Sequence, residues 1–482
     1  MTISGLSKLL VSVGLLCLVN LGSGACFAGE VRRSSNPDAS ALPPLARAAP
    51  GAARAPVTGV NANFFEPHGV LNNDGVWEAV RASNIPMMRF PGGTRSTFYD
   101  WETGRIQDTG GLEPGLAEES DVVPMDSFMS RAKETGVTVS YVVNVTDPPE
   151  KTQALARHWQ ETNAPVRWVE LGNEQYLPDY IDRIGGPAGY LDKARRALGA
   201  LRSGGYEGPA GLVVAPEVDV GEDDTPDQDS RAWNKELATA DSAVFDAVVV
   251  HVYPSLEDVG FQRAYAHSPS ALTEEVANLR RMFPGKQVWL TEWNLGKPSG
   301  TPQINTLWNA LFDLRMLKAM LRNGVELGCY HVLTGHGWEL VHVTENAGED
   351  SKALEREVPY FAFQMVNEAM ADGAAYDANP GARILLPNGA EHMAFRTQHQ
   401  IRVVAWTSGA NTGTVRVEAD GGPLPFVGGK KLHGDLNVTN ESKIPREEIQ
   451  AVPTNSPRLV GPGAVMLRFS SGAGRDGDSG GG

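Results

Sequence analysis

From residue 57 onward, short apolar runs alternate with amphipathic stretches. The runs are 57–65, 86–90, 138–145, 166–171, 211–216, 247–252, 287–290 and 327–333. Between them, 75–83, 125–135, 151–161, 190–201, 230–240, 272–282 and 307–322 carry apolar residues at helical spacing. In the last of these, Leu307, Leu311, Leu314, Leu317 and Leu321 recur every three or four residues, which is one face of a helix. Strands alternating with helices in this way predict an α/β fold, a closed (β/α)8 TIM barrel. An open doubly wound sheet is the competing arrangement, but no glycine-rich nucleotide fingerprint follows any run.

The pattern changes after Met370. Segments 384–386, 393–396, 401–406, 414–417 and 464–469 are short, turn-separated and strand-like, with no helical repeat between them. They predict a C-terminal antiparallel β-sandwich. The expected organisation is a secretory signal at 1–28, a flexible Ala/Pro/Arg-rich leader at 29–56, a catalytic barrel at 57–372, a sandwich at 373–470 and a disordered Gly/Ser/Asp tail at 471–482. The leader is poor in apolar residues, so the sandwich is expected to be built mainly from the C-terminal part of the chain.

Composition narrows the function classes. A formal net charge of -16 over 482 residues argues against nucleic acid and anionic membrane surfaces as partners. The apolar run 9–21 is too short to span a bilayer comfortably and reads as the core of a signal, so no stable membrane insertion is expected. Cys26-Phe27-Ala28 is a plausible cleavage site, and a lipid-bearing Cys26 is the alternative. Cleavage after Ala28 leaves Cys329 as the one cysteine and no disulfide framework. The chain is therefore expected to be secreted or periplasmic. There is no zinc-binding His-Glu-x-x-His run, no G-x-S-x-G elbow and no phosphate loop, and no cofactor or metal is expected.

The chemistry concentrates where apolar runs end. Trp168-Val169-Glu170-Leu171-Gly172-Asn173-Glu174 is a short run closing on an amide and a carboxylate. Val288-Trp289-Leu290-Thr291-Glu292-Trp293-Asn294 closes on a second glutamate. These are the fourth and seventh runs, and a (β/α)8 barrel keeps its chemistry at the C-terminal ends of its strands. Two carboxylates facing each other there are the minimum equipment for cleaving a glycosidic bond with retention, at a separation of about 5–5.5 Å. Glu292 is expected to be the nucleophile and Glu174 the acid/base. Arg89 ends the second run and can hold a carboxylate ionised and oriented. His251-Val252-Tyr253 ends the sixth, and alternation puts His251 and Tyr253 on one side, with the phenol in reach of the nucleophile. Asn173 can bond a sugar hydroxyl, and Trp101, Trp293 and Trp338 are candidates for stacking on sugar faces. The expected partner is a glycan or oligosaccharide. Arg95 and Arg105 are the arginines to inspect for a uronic-acid subsite.

These residues resemble a known group. Arg89-Phe90-Pro91-Gly92-Gly93, Leu171-Gly172-Asn173-Glu174, His251-Val252-Tyr253 and Thr291-Glu292-Trp293-Asn294 look like the clan of retaining (β/α)8 glycosidases. Within it they are most similar to the family 51 α-L-arabinofuranosidases, which carry a Gly-Asn-Glu acid/base, a Glu-Trp-Asn nucleophile and a C-terminal sandwich. Gly461-Pro462-Gly463-Ala464-Val465-Met466-Leu467 is similar to the last strand of that sandwich. The resemblance spans roughly residues 57–469, in islands. It implies an α-L-arabinofuranosidase. Neighbouring families with β-xylosidase, β-glucuronidase or exopolysaccharide hydrolase activity share the Asn-Glu and Thr-Glu-Trp-Asn pieces. A catalytically silent carbohydrate-binding barrel is the reading from outside enzymology.

Overall fold

The computed structural model describes residues 57–65, 69–107, 109, 122–218, 228–239, 244–254, 256–296, 305–335, 337–343, 354–419, 422–437, 446–450 and 457–471. The expected signal, leader and most of the tail lie outside the described residues.

Eight parallel strands close into a barrel: Gly59–Asn61, Met87–Phe90, Thr138–Val143, Val166–Leu171, Ala210–Val213, Ala247–Val252, Gln287–Trp293 and Leu327–Tyr330. They neighbour one another in chain order, and the first pairs with both the second and the eighth, Val60 opposite Met88 and Gly59 opposite Cys329. Each lies within or across one of the eight apolar runs. Their outward-facing buried residues, among them Val169, Val248 and Leu290, fill the space between the strands and the surrounding helices.

The connecting helices are set by their ends. Met125–Thr135 stops at Gly136 in the left-handed conformation, whose N–H returns to Ala132 and Lys133. Leu307–Asn323 starts on Thr306, whose hydroxyl accepts from the Asn309 N–H, and stops at a left-handed Gly324. Helix Pro178–Ile184 was not read in the sequence, and two other helices depart from the pattern read there. Leu256–Met282 runs a further sixteen residues upstream of 272, carrying Pro269 inside it. The Tyr265 carbonyl, which Pro269 leaves without its helical N–H, accepts from the Arg315 guanidinium instead. Val358–Met370 has only a narrow polar stripe of Gln364, Asn367 and Glu368 because it is covered over most of its surface: Tyr360, Phe361, Phe363, Met365 and Val366 are all buried.

That last helix joins the barrel to the C-terminal strands. Ala375–Tyr376, Glu391–Arg396, Gln400–Thr407, Gly463–Ser470, Phe426–His433 and Arg446–Gln450 form a six-stranded antiparallel sheet in that order. A smaller sheet of Arg383–Leu385, Arg416–Ala419 and Gly422–Pro423 completes the sandwich. Alternation along the central strands serves two cores. Ile401, Val403, Ala405, Val465, Leu467 and Phe469 meet Val415, Val417 and Leu459 inside the sandwich. Val404, Trp406, Ala464 and Met466 face the other way and join the core shared with the barrel. Strand Phe426–His433 was hidden in the sequence by its glycines and lysines. Gly429 is required there, because a Cβ would stand 2.2 Å from the Met466 carbonyl oxygen.

Candidate active site

Arg89 organises the mouth of the barrel. It is fully buried on the second strand. Its Nε donates to Glu170 at 2.8 Å, Nη1 to Asn61 at 2.9 Å and also to Glu292, and Nη2 to Asn173 at 2.9 Å. One planar fork thus ties the first, second, fourth and seventh strands together. Burial alone would weaken the charge on Arg89, but the carboxylates of Glu170 and Glu292 hold it protonated throughout. Glu170 lies deeper than the other two glutamates and also accepts from Ser140 at 3.2 Å and Thr291 at 3.0 Å.

Glu292 comes to the mouth through a β-bulge. Val250 pairs with Leu290 but His251 pairs with Glu292, so the seventh strand has one extra residue at this point. The register shifts again against the eighth strand, where Gly328 pairs with Leu290 and Tyr330 with Trp293. Thr291 and Glu292 therefore both face inward, Thr291 onto Glu170 and Glu292 onto Arg89 and Tyr253. The Tyr253 hydroxyl donates to Glu292 Oε2 at 2.7 Å, and His251 and His331 stand 3.7 and 3.8 Å from the same oxygen. Burial pushes the Glu292 carboxyl up, but His251, Arg89 and His331, with the Tyr253 hydroxyl, outweigh it and hold Glu292 well below the usual carboxylate range. Burial and the two glutamates push the Tyr253 phenol far up, so it remains a donor.

Glu174 follows the fourth strand beyond Gly172 and has a left-handed backbone, φ 45°. That conformation is strained for a non-glycine residue and aims the side chain back across the mouth. Glu174 is the more open of the pair, with its side chain 19% exposed against 5% for Glu292. Its Oε1 lies 2.9 Å from His251 Nδ1 and accepts from the Tyr176 hydroxyl at 3.4 Å. The acceptor atoms of Glu174, His251 and Glu292 all fall within 4.8 Å of one another.

Proton positions around His251 follow from its neighbours. The single hydroxyl hydrogen of Thr291 goes to Glu170, so Thr291 Oγ1 accepts from His251 Nε2 at 3.2 Å. The 2.9 Å contact between His251 Nδ1 and Glu174 then holds one proton between two groups. Burial lowers the His251 pKa, but Glu292 and Glu174 raise it past that, for a net upward shift.

Of the residues expected from the sequence, Arg89, Asn173, Glu174, His251, Tyr253 and Glu292 converge at the C-terminal strand ends. Asn173 gives its oxygen to Arg89, which leaves its buried Nδ2 donor with no partner. Trp338 is also there: its ring stacks on Tyr253 at 6.3 Å and meets His331 edge-on at 5.5 Å, forming an aromatic wall. Two expectations fail. Trp293 is fully buried and packs against Tyr330 and Phe363, because the bulge that turns Thr291 and Glu292 inward sends the next side chain outward. Trp101 packs on His158 in helix Pro149–Thr162, in the outer ring, beside a cleft of about 300 Å³ that includes Glu102, Pro124 and Asp126. Of the two arginines considered for a uronic-acid subsite, Arg95 is buried, donates to Asn63 at 3.1 Å and lies over the Phe65 ring, while Arg105 is exposed on the short hairpin after the second strand. Asn61, Glu170, Tyr176 and His331 belong to the site and were missed. For Glu170 the available signal was a charged residue one place inside a buried apolar run.

The fold and the facing glutamates define a class, the (β/α)8 barrels with a C-terminal sandwich and two strand-end carboxylates. No family model matches the chain. The resemblance to the family 51 α-L-arabinofuranosidases read from the motifs recurs in the comparisons. The chain is 24% identical to a probable α-L-arabinofuranosidase C of Aspergillus terreus over 318 residues, covering 55% of this chain and 61% of that protein. It therefore spans about three fifths of the length of the curated relative it matches. Its fold is similar to that of the family 51 arabinofuranosidase of Xanthomonas axonopodis pv. citri, with a TM-score of 0.63 at 16% identity over 84% of this chain and 92% of that one. The α-L-arabinofuranosidase of Thermotoga maritima, solved as an arabinose complex, gives 0.66 at 14% identity over 87% and 97%. A 4-O-α-L-rhamnosyl-β-D-glucuronidase of Fusarium oxysporum gives 0.56 at 18% over 86% and 97%. No described helix is long and apolar enough to cross a membrane.

Proposed function

We propose that the chain is an exported retaining glycoside hydrolase, with Glu292 as nucleophile, Glu174 as acid/base and an α-L-arabinofuranoside as substrate. The observation that carries this reading is the approach of the two carboxylates, one oxygen of each lying within 4.8 Å of one oxygen of the other. Retention calls for carboxyl groups about 5–5.5 Å apart, whereas inversion leaves about 6.5–9.5 Å for a water between them.

The roles follow from the surroundings. Glu292 attacks the anomeric carbon as its bond to the leaving oxygen breaks, and Glu174 gives that oxygen its proton. Glu174 then takes a proton from water, which attacks the same carbon and frees Glu292. Arg89 and Tyr253 keep Glu292 ionised and fix one oxygen each. His251 shares a proton with Glu174 and orients its carboxyl, and the proton given in the first step is recovered from water in the second. The unpaired Asn173 Nδ2 suits a sugar hydroxyl beside the reacting carbon, and Trp338 with Tyr253 supplies an apolar wall. We assign catalysis to the barrel at 57–372 and none to the sandwich at 373–470. The apolar run near the start of the chain supports export.

The names of the Aspergillus relative and of the family 51 fold neighbours support the arabinofuranoside. Aryl α-L-arabinofuranoside, β-xyloside and β-glucuronide assayed side by side test it. The arabinofuranoside is expected to turn over fastest. Preference for the glucuronide or xyloside would move the substrate within the same mechanism, and no turnover of any would favour a binding barrel.

A further inference from the structure

A second cluster of ligating side chains lies outside the candidate active site. Beyond the eighth strand the chain crosses the barrel rim, with Leu340 N–H bonded to the Val332 carbonyl and Val341 N–H to that of Leu333. It then forms a two-stranded hairpin, Val341–Val343 with Leu354–Arg356. Glu339 precedes this hairpin, His342 lies in its first strand and Glu357 follows its second. Their coordinating atoms fall within 4.8 Å of one another.

The two glutamates are buried, Glu339 at 3% exposure and Glu357 at 8%, whereas the His342 side chain is 43% exposed. Glu339 Oε1 meets His342 Nδ1 at 2.7 Å. Its other oxygen, Oε2, is buried and accepts no hydrogen bond. Glu357 stands at the N-terminal cap of helix Val358–Met370, yet its carboxylate makes no capping bond, and its backbone N–H goes to Leu340 instead. Two buried carboxylates drawn together repel each other, and an unsatisfied buried carboxylate oxygen is costly. An imidazole pairs with one of them and leaves Oε2 without a partner. A divalent cation answers both needs, because it offsets the repulsion between the two carboxylates and occupies the Glu339 Oε2 lone pairs that no hydrogen bond fills.

We propose that Glu339, His342 and Glu357 form a binding site for a divalent transition cation of the Zn²⁺ type, which fastens the hairpin to the barrel rim. One imidazole with two carboxylates is a donor set that Zn²⁺ accepts. Ligands at about 2.0–2.2 Å from the ion stand no more than about 4.4 Å apart. Half-exposed His342 has the freedom to close the remaining gap, and its open side provides an entry path and room for a water ligand. The site adjoins Trp338, the residue before Glu339, so the ion steadies the ring stacked on Tyr253. The proposal does not depend on the reading of the barrel mouth as a glycosidase.

The test uses the full chain after treatment with a chelator, titrated calorimetrically with Zn²⁺, with Tm followed in parallel. The wild type is expected to bind one Zn²⁺ that both His342→Ala and Glu339→Gln weaken by more than about tenfold, and to gain a rise in Tm that neither variant shows. His342→Ala removes a half-exposed side chain and leaves the fold intact, and zinc bound at Glu174, His251 and Glu292 is common to all three proteins. No zinc uptake by the wild type would overturn the proposal, as would unchanged stoichiometry and affinity in either variant.

Discussion

Thr291 and Glu292 are consecutive residues whose side chains point the same way, into the barrel. In a regular strand one of them would face the helices. The bulge gives the site both the hydroxyl that links Glu170 to His251 and the carboxylate that Arg89 and Tyr253 hold. Thr291→Val keeps the shape and removes the hydroxyl. It should leave His251 Nε2 without an acceptor and cost about 1–3 kcal/mol. Urea unfolding of the variant beside the wild type measures this.

The barrel was legible because each buried strand reads as an apolar run, and because its chemistry stands where those runs stop. Arg89, Glu174, His251, Tyr253 and Glu292 could be placed on that basis alone. What remained hidden depended on geometry that hydrophobic pattern does not encode. The bulge at Thr291 inverted the side on which Trp293 falls. Helix Val358–Met370 is covered by barrel and sandwich over most of its surface, which narrows its polar stripe to Gln364, Asn367 and Glu368. Strand Phe426–His433 needs Gly429 for close approach to its neighbour, so it lacks the residues that announce a strand. Glu170 and Asn61 acquire a role only through a partner distant in sequence, Arg89.

Trp338 and Trp293 should respond differently. Trp338→Ala removes a partly exposed wall of the mouth and is expected to raise KM with little change in Tm. Trp293→Ala empties a buried site and should cost about 3–5 kcal/mol. Steady-state kinetics and thermal unfolding of both variants separate the two roles.

The pH dependence follows from the direction of two shifts. Glu292 titrates below its unfolded value, so it favours the folded state above about pH 4.5, and that contribution is lost as pH falls through the depressed value. His251 titrates above its unfolded value of 6.5, so its contribution is complete below that pH and is lost as pH rises through the raised value. The kcat/KM profile is expected to fall on the alkaline side as the proton between His251 and Glu174 leaves, and His251→Asn should move that limb. An alkaline limb unchanged in the variant would remove His251 from the proton path.

Glu174→Ala and Glu292→Ala should fail in different ways. Loss of the acid is expected to slow substrates with poor leaving groups by about 10²–10⁴-fold, with a smaller effect on activated aryl glycosides. Azide should partly rescue Glu174→Ala, because it attacks the intermediate without a general base. Glu292→Ala should lose turnover of every substrate. A glycosyl azide of retained configuration from Glu292→Ala, with an inverted one from Glu174→Ala, would exchange the two assignments.

The most direct test of a double displacement at Glu292 is the configuration of a trapped product. An aryl glycoside that the protein turns over is incubated in dilute methanol, and the methyl glycoside, an acetal that does not equilibrate between anomers, is read by proton NMR. The expected product keeps the anomeric configuration of the substrate, as attack on a Glu292-linked intermediate requires. A methyl glycoside of inverted configuration would contradict it.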